Sequence, residues 1–113
     1  MDLNVEPVGN AVVVEVLAET VDVSNSDELK AGLADLTAAH RFAVVDLSRV
    51  RYLDSSGCGA LVAAMTRFRA AGGDLRLCAP TPQVKTLLEL VRLTRVLPLH
   101  ETREEALAAF GGK

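Results

Sequence analysis

The run Asp54-Ser55-Ser56-Gly57-Cys58-Gly59 gathers a carboxylate, two hydroxyls and a thiol within a small, polar turn. It joins an apolar run to a helical pattern, so its hydroxyls fall at a helix start. There Asp54 or a serine can accept a hydrogen bond from an unpaired backbone N–H, while the glycines permit close packing. A second role is compatible with the first. A serine hydroxyl at a helix start can be presented to another protein and accept a phosphate, which the positive end of the helix dipole tolerates without unfolding. That phosphate would add about −1.5 to −2 charges beside the Asp54 carboxylate and oppose docking of an acidic or tightly complementary partner.

Other chemistry lacks its residues. Gly57-Cys58-Gly59 resembles the start of a nucleotide-binding turn, but Val62 stands where a dinucleotide fingerprint needs its third glycine, and no Walker-type lysine follows. No Gly-x-Ser-x-Gly elbow surrounds either serine; His40 closes a predicted helix and His100 falls in a late loop, so no catalytic residue is assigned. Two histidines without clustered cysteine or carboxylate partners do not make a metal site, and no cofactor is expected. Cys58 and Cys78 lack metal-ligand spacing and read as reduced, structural thiols. Arg67, Arg69, Arg76, Lys85, Arg92, Arg95 and Arg103 are scattered among acidic residues and read as a solvated surface, whereas Arg49 and Arg51 could form a basic rim that orients an acidic partner.

The elements that must position the turn can be read from periodicity. Asp2 to Val8 and Val12 to Leu17 are rich in β-branched residues, and Gly9-Asn10 between them suits a tight hairpin turn, which predicts an antiparallel pair. Ser24-Asn25-Ser26-Asp27 resembles a capping box. The repeat of Leu29, Leu33 and Leu36 then predicts a helix to about His40. Phe42 to Leu47 reads as a central strand covered on at least one face, followed by a polar loop from Ser48 to Asp54. From Ser55 or Ser56, Leu61, Met65 and Phe68 line a helix that Gly72-Gly73 stops.

Leu75, Leu77 and Ala79 alternate with Asp74, Arg76 and Cys78 in a further strand, which Pro80-Thr81-Pro82 ends. Val84, Leu87, Leu88 and Val91 mark the next helix. Val96-Leu97-Pro98-Leu99 suits a short edge strand, because its proline cannot donate to an interior ladder. Thr102-Arg103-Glu104-Glu105 is a capping box, opening a last helix that Leu107 and Phe110 anchor and that ends at Gly111-Gly112. Strands separated by helices pair in parallel through right-handed crossovers. The fold class is therefore α/β: a mixed sheet of four to five strands with four helices packed mainly on one side.

Length and composition fit that plan. A chain of 113 residues suits a single domain spanning residues 1–113. With 50% hydrophobic but only 4% aromatic residues, its core must be aliphatic. Twelve basic and fifteen acidic side chains leave a formal charge of −3, which disfavours nucleic acid and anionic membrane surfaces as partners. No apolar run approaches the roughly 20 residues needed to span a bilayer, and MDLNVEPVGN has neither the basic region nor the apolar stretch of a signal peptide, so a cytoplasmic location is expected. The absence of a heptad pattern argues against a coiled-coil dimer; a monomer or weak dimer is expected.

The stretch from Val44 to Leu107 resembles the single-domain STAS family, specifically bacterial anti-sigma factor antagonists. Its most specific piece is Leu53 followed by Asp54-Ser55-Ser56-Gly57 and then Gly59-Ala60-Leu61. Gly72-Gly73 before a strand and the pattern of Val84, Leu87, Leu88 and Leu93 support it. The resemblance implies a STAS fold and a binding protein rather than an enzyme. It implies that an anti-sigma factor, itself a serine kinase, phosphorylates Ser55, that the unphosphorylated form binds this partner and frees its sigma factor, and that a phosphatase reverses the block.

By the same resemblance Asp54 sits beside the acceptor, Ser56 and Gly57 shape the helix start, and Asp22 lies at the same end of the sheet, in contact with the partner. Two positions depart from the family pattern. Many members have a Gly-Glu pair shortly before the position of Asp22, where this chain reads Ala18-Glu19-Thr20-Val21, and Cys58 stands where an aliphatic residue is usual. A second reading keeps the fold without the switch: a constitutive STAS subunit of a lipid-transport ATPase or of a stress-signalling complex.

Overall fold

Five of the six residues of the second strand are buried, which only a sheet covered on both faces can achieve. The computed structural model describes residues 1–110. β1 (Leu3–Val8), β2 (Ala11–Val16), β4 (Phe42–Asp46), β6 (Asp74–Cys78) and β7 (Leu99–His100) form one sheet in the order β1-β2-β4-β6-β7. β1 and β2 are antiparallel, with Val8 opposite Ala11; every other neighbouring pair is parallel. Gly9, at φ +62°, takes the first turn position that a two-residue hairpin reserves for glycine. The expected hairpin is present, and the sheet has five strands.

α1 (Ser26–Asp35), α2 (Ser55–Ala70) and α3 (Pro82–Leu90) cover one face, and α4 (Arg103–Ala109) covers the other. On the first face Leu29, Leu33, Leu61, Phe68 and Leu88 pack onto Val12, Val14, Val45, Leu75 and Leu77. On the second, Ala106 and Phe110 pack onto Ala11, Val13, Phe42, Val44 and Cys78, and the rings of Phe42 and Phe110 stack with centroids 4.6 Å apart. The core is aliphatic apart from these few rings.

Helix boundaries follow their caps. The Gly73 N–H reaches the Phe68 carbonyl (2.9 Å) and the Gly72 N–H that of Arg69 (3.0 Å), while Gly72 sits at φ +88°. This is the left-handed glycine stop that ends α2. The Thr102 capping box is complete, with Glu105 N–H on the Thr102 hydroxyl and Thr102 N–H on the Glu105 carboxylate. The expected end of α4 at Gly111-Gly112 lies outside the described residues.

Several boundaries differ from the sequence reading. α1 has no side-chain cap. Asn25, at its N-cap, instead accepts from the Asp22 N–H and donates to the Thr20 carbonyl, so the Ser24–Asp27 run shapes the preceding turn. α1 also ends at Asp35, where a 3-10 turn over Leu36–Ala38 replaces its last stretch. The late strand is Leu99–His100 rather than Val96–Leu99: Val96 is exposed, and Pro98 takes part only through its carbonyl, which accepts from the Leu77 N–H. Val91 is exposed rather than on the inner face of α3. Ala79 lies beyond β6, at φ +54°, and packs toward the α4 side.

The polar loop before Asp54 also contains structure. β3 (Thr20–Val21) and β5 (Tyr52–Leu53) form a separate two-stranded parallel sheet, in which Val21 pairs with Leu53.

Candidate functional site

That small sheet builds the site. Its register carries Asp22 and Asp54 out of adjacent strands, one into the turn before α1 and the other onto the first turn of α2. The Asp54 N–H donates to the Val21 carbonyl at 3.2 Å, which ties the two exits together.

Asp54 is the N-cap of α2. Its Oδ1 accepts from the Gly57 N–H at 3.0 Å and from the Ser56 hydroxyl at 2.5 Å. The Ser56 hydroxyl lowers the Asp54 pKa most, followed by the Gly57 N–H; the backbone N–H groups of Ser56 and Val23 act in the same direction. Of the capping candidates, Asp54 is the one that caps.

Gly57 is buried against the small sheet. A Cβ there would collide with the Leu53 side chain and lie 3.0 Å from Val21 Cγ1 and 3.1 Å from the Val21 carbonyl oxygen. The absence of a side chain lets α2 start directly against β3 and β5. Asp22 has a comparable local role: its Oδ1 accepts from the Ser24 N–H (2.9 Å) and the Ser24 hydroxyl (2.5 Å).

Ser55 differs from its neighbours. It is the first residue of α2, exposed, and its hydroxyl has no hydrogen-bond partner among the described residues. It borders an open cleft of about 400 Å³ shared with Arg51, Tyr52, Gln83, Val84 and Leu87. Two exposed apolar side chains stand at this end, Val23 in the turn before α1 (80% exposed) and Tyr52 on β5 (56%). The site is thus an anchored cap with one free hydroxyl, beside apolar surface.

Arg49 and Arg51 are both exposed, and Arg49 pairs with Glu15 at 3.1 Å, so only part of the expected basic rim is free of an acidic partner. Cys58 is half-buried; burial, then the nearby Asp54 carboxylate, raises its pKa, which suits a packed thiol. Burial pushes Cys78 up to about 12. Among the described residues there is no group of three or more histidine, cysteine or carboxylate side chains placed to hold a metal ion, and no helix long and apolar enough to cross a membrane.

Sequence reading missed several features away from this turn. Buried Asp46 accepts from the Arg103 Nε at 2.6 Å and from the Ser48 N–H at 2.8 Å, anchoring α4 to the end of β4. His100 is not in a solvated loop: it lies half-buried on β7, 3.1 Å from Arg76 Nη1. A guanidinium only donates, so His100 Nε2 is the acceptor.

Comparison with known proteins agrees with this architecture. Residues 2–106 match the STAS domain model. BtrV of Bordetella bronchiseptica, described as a candidate anti-sigma factor antagonist, is 32% identical over 95 residues, covering 83% of this chain and 82% of that one. An anti-sigma factor antagonist structure from Mycobacterium paratuberculosis superposes with a TM-score of 0.84 at 26% identity, covering 96% of this chain and 92% of the other. The Bacillus anti-sigma factor antagonist SpoIIAA superposes in its phosphorylated form with a TM-score of 0.70 at 22% identity, covering 96% and 98%. The matched span takes in both sheets and the capped start of α2 that carries Ser55, and the chain belongs to the STAS domain family.

Proposed function

We propose that this protein is an anti-sigma factor antagonist: its unmodified form docks on an anti-sigma factor kinase and releases the sigma factor, and phosphorylation of Ser55 blocks that docking until a phosphatase removes the group. The observation that carries this reading is the free, exposed hydroxyl of Ser55 on the first turn of a 16-residue helix whose cap is already complete. A phosphate there meets the positive end of the α2 dipole, worth about 0.3–1 kcal/mol at an exposed position, so the fold accepts it. The Asp54 carboxylate is held ionised by its neighbours, and phosphate beside it concentrates negative charge on the docking surface. The names of BtrV and SpoIIAA support the antagonist role, and the existence of a phosphorylated form of SpoIIAA supports the switch. In this reading Asp22, Asp54, Ser56 and Gly57 shape the surface that the partner meets. The protein is a substrate of the kinase and the phosphatase and catalyses nothing itself.

The test is incubation with candidate anti-sigma factor kinases and ATP, followed by phosphosite mapping and binding measurements. Ser55→Ala is expected to bind the partner with unchanged affinity and take up no phosphate, and Ser55→Asp to bind at least tenfold more weakly. Undiminished phosphate uptake by Ser55→Ala overturns the site. Recovery of transporter subunits instead of a kinase in pull-downs would favour the constitutive-subunit reading.

A further inference from the structure

The opposite end of the sheet carries a second cluster with different chemistry. α2 spans about 24 Å from Ser55 to its glycine stop. There the amino-terminal ends of β4 and β6 bring Arg41, Arg69 and Arg76 around an open depression of about 580 Å³, with Asp74 its one carboxylate among the described residues and Phe42 and Phe110 also lining it.

Each guanidinium is already held. Arg41 Nε donates to the Gly72 carbonyl at 3.1 Å, and its Cζ lies 5.5 Å from the Phe42 ring centroid. Arg69 donates through Nε to Asp74 Oδ1 at 2.8 Å and through Nη2 to the Val96 carbonyl at 2.9 Å. Arg76 lies over the Phe110 ring, 5.5 Å from its centroid, and donates through Nη1 to His100. Its Nε is sealed from solvent without a hydrogen-bond partner; Asp74 Oδ2, the nearest carboxylate oxygen, is 3.8 Å away.

Asp74 Oδ1 is doubly engaged, since it also accepts from the Leu75 N–H at 2.9 Å, and Oδ2 faces Arg76 Nε as an ion pair without a hydrogen bond. Among the described residues, both terminal nitrogens of Arg41, Nη1 of Arg69 and Nη2 of Arg76 have no acceptor. Three held guanidinium groups therefore face one carboxylate among the described residues, with donors left over. The carboxyl-terminal end of α2 adds some negative potential here, which three guanidinium groups outweigh; its Arg67, Phe68 and Arg69 carbonyls are already bonded to the Ala71, Gly72 and Gly73 N–H groups.

We propose that this cluster binds a small tetrahedral dianion of the phosphate class, held by paired N–H donors from Arg41, Arg69 and Arg76. Their side chains are ordered by ring, carbonyl and carboxylate contacts before a ligand arrives, so less conformational entropy is lost on binding. The site is separate from Ser55 and does not depend on its phosphorylation.

The full-length protein, unmodified at Ser55, is titrated at low salt with inorganic phosphate and, in a second arm, with methyl phosphate, while backbone amide and arginine Nε–H resonances are followed by NMR. Saturable shifts confined to residues around Arg41, Gly72–Arg76 and Phe110 are expected, with affinity about tenfold weaker in Arg41→Gln, which loses its charge-assisted donors. The stronger of the two arms identifies free or esterified phosphate as the natural form. Arg41 is exposed and its backbone contacts do not need its side chain, so this variant keeps the fold; its amide spectrum verifies that. Linear, non-saturating shifts, or equal affinity in Arg41→Gln, overturn the proposal.

Discussion

The contrast between Gly57 and Gly59 shows how much one missing methyl group can decide. Both lie in the first turns of α2, where alanine gains up to about 1 kcal/mol in helix propensity over glycine. At Gly59 nothing lies within 4 Å of an added Cβ, so Gly59→Ala is expected to stabilise by about that amount. At Gly57 the added carbon would press on the Leu53 side chain and on the Val21 carbonyl, which is strand backbone and cannot turn aside. Overpacking costs about 1–3 kcal/mol and outweighs the propensity gain. Gly57→Ala is therefore expected to lower the urea midpoint and Gly59→Ala to raise it; the reverse order would show that α2 does not start against the small sheet.

Elements are held to one another by a few specific contacts, and α4 is the clearest case. Its seven residues bury little beyond Ala106 before Phe110, so its capping box matters. Thr102→Ala is expected to cost about 1 kcal/mol in equilibrium unfolding, with raised hydrogen exchange concentrated in residues 103–109. This cap was legible from four consecutive residues, as were the hairpin, the three long inner strands, α2 and the Asp54–Gly57 turn, because each is specified by its own sequence. β3 and β5 were not, and of β7 only its existence as an edge strand was, at Val96–Leu99 rather than Leu99–His100. Two residues carry no periodicity, and such strands exist only through partners such as Val21 with Leu53 or Leu77 with Leu99. The Asp46–Arg103 pair, 57 residues apart, and the arginines around Asp74 were equally hidden, since only the parallel crossovers bring them together. The apparent cap before α1 misled because Asn25 and Asp22 satisfy the turn's backbone instead.

For the whole molecule, acid stability follows from groups on different elements. Burial and then the Arg76 guanidinium lower the His100 pKa, so its neutral form is favoured in the folded state. Its contribution is present above the ordinary histidine value of about 6.5 and is lost as pH falls through the folded value. Asp46 is pushed up by burial, but its Ser48 hydrogen bonds and the Arg103 guanidinium outweigh that and hold it below the ordinary carboxylate range. Its contribution is present above about 3.9 and disappears as pH falls through its lower folded value. Urea midpoints measured from pH 8 to pH 3 are expected to fall in two stages. His100→Gln should remove the first and Asp46→Asn should flatten the second; a single stage unaffected by either substitution would contradict this assignment.

The hairpin also sets the outer rim of the sheet. With Val8 opposite Ala11 closing the turn, Leu3, Val5 and Pro7 fall at the positions whose backbone donors would face away from β2. Proline has no such donor. A stray strand trying to zip onto this border would lose its ladder at Pro7, so the molecule carries an inbuilt guard against growing into a fibre from that side.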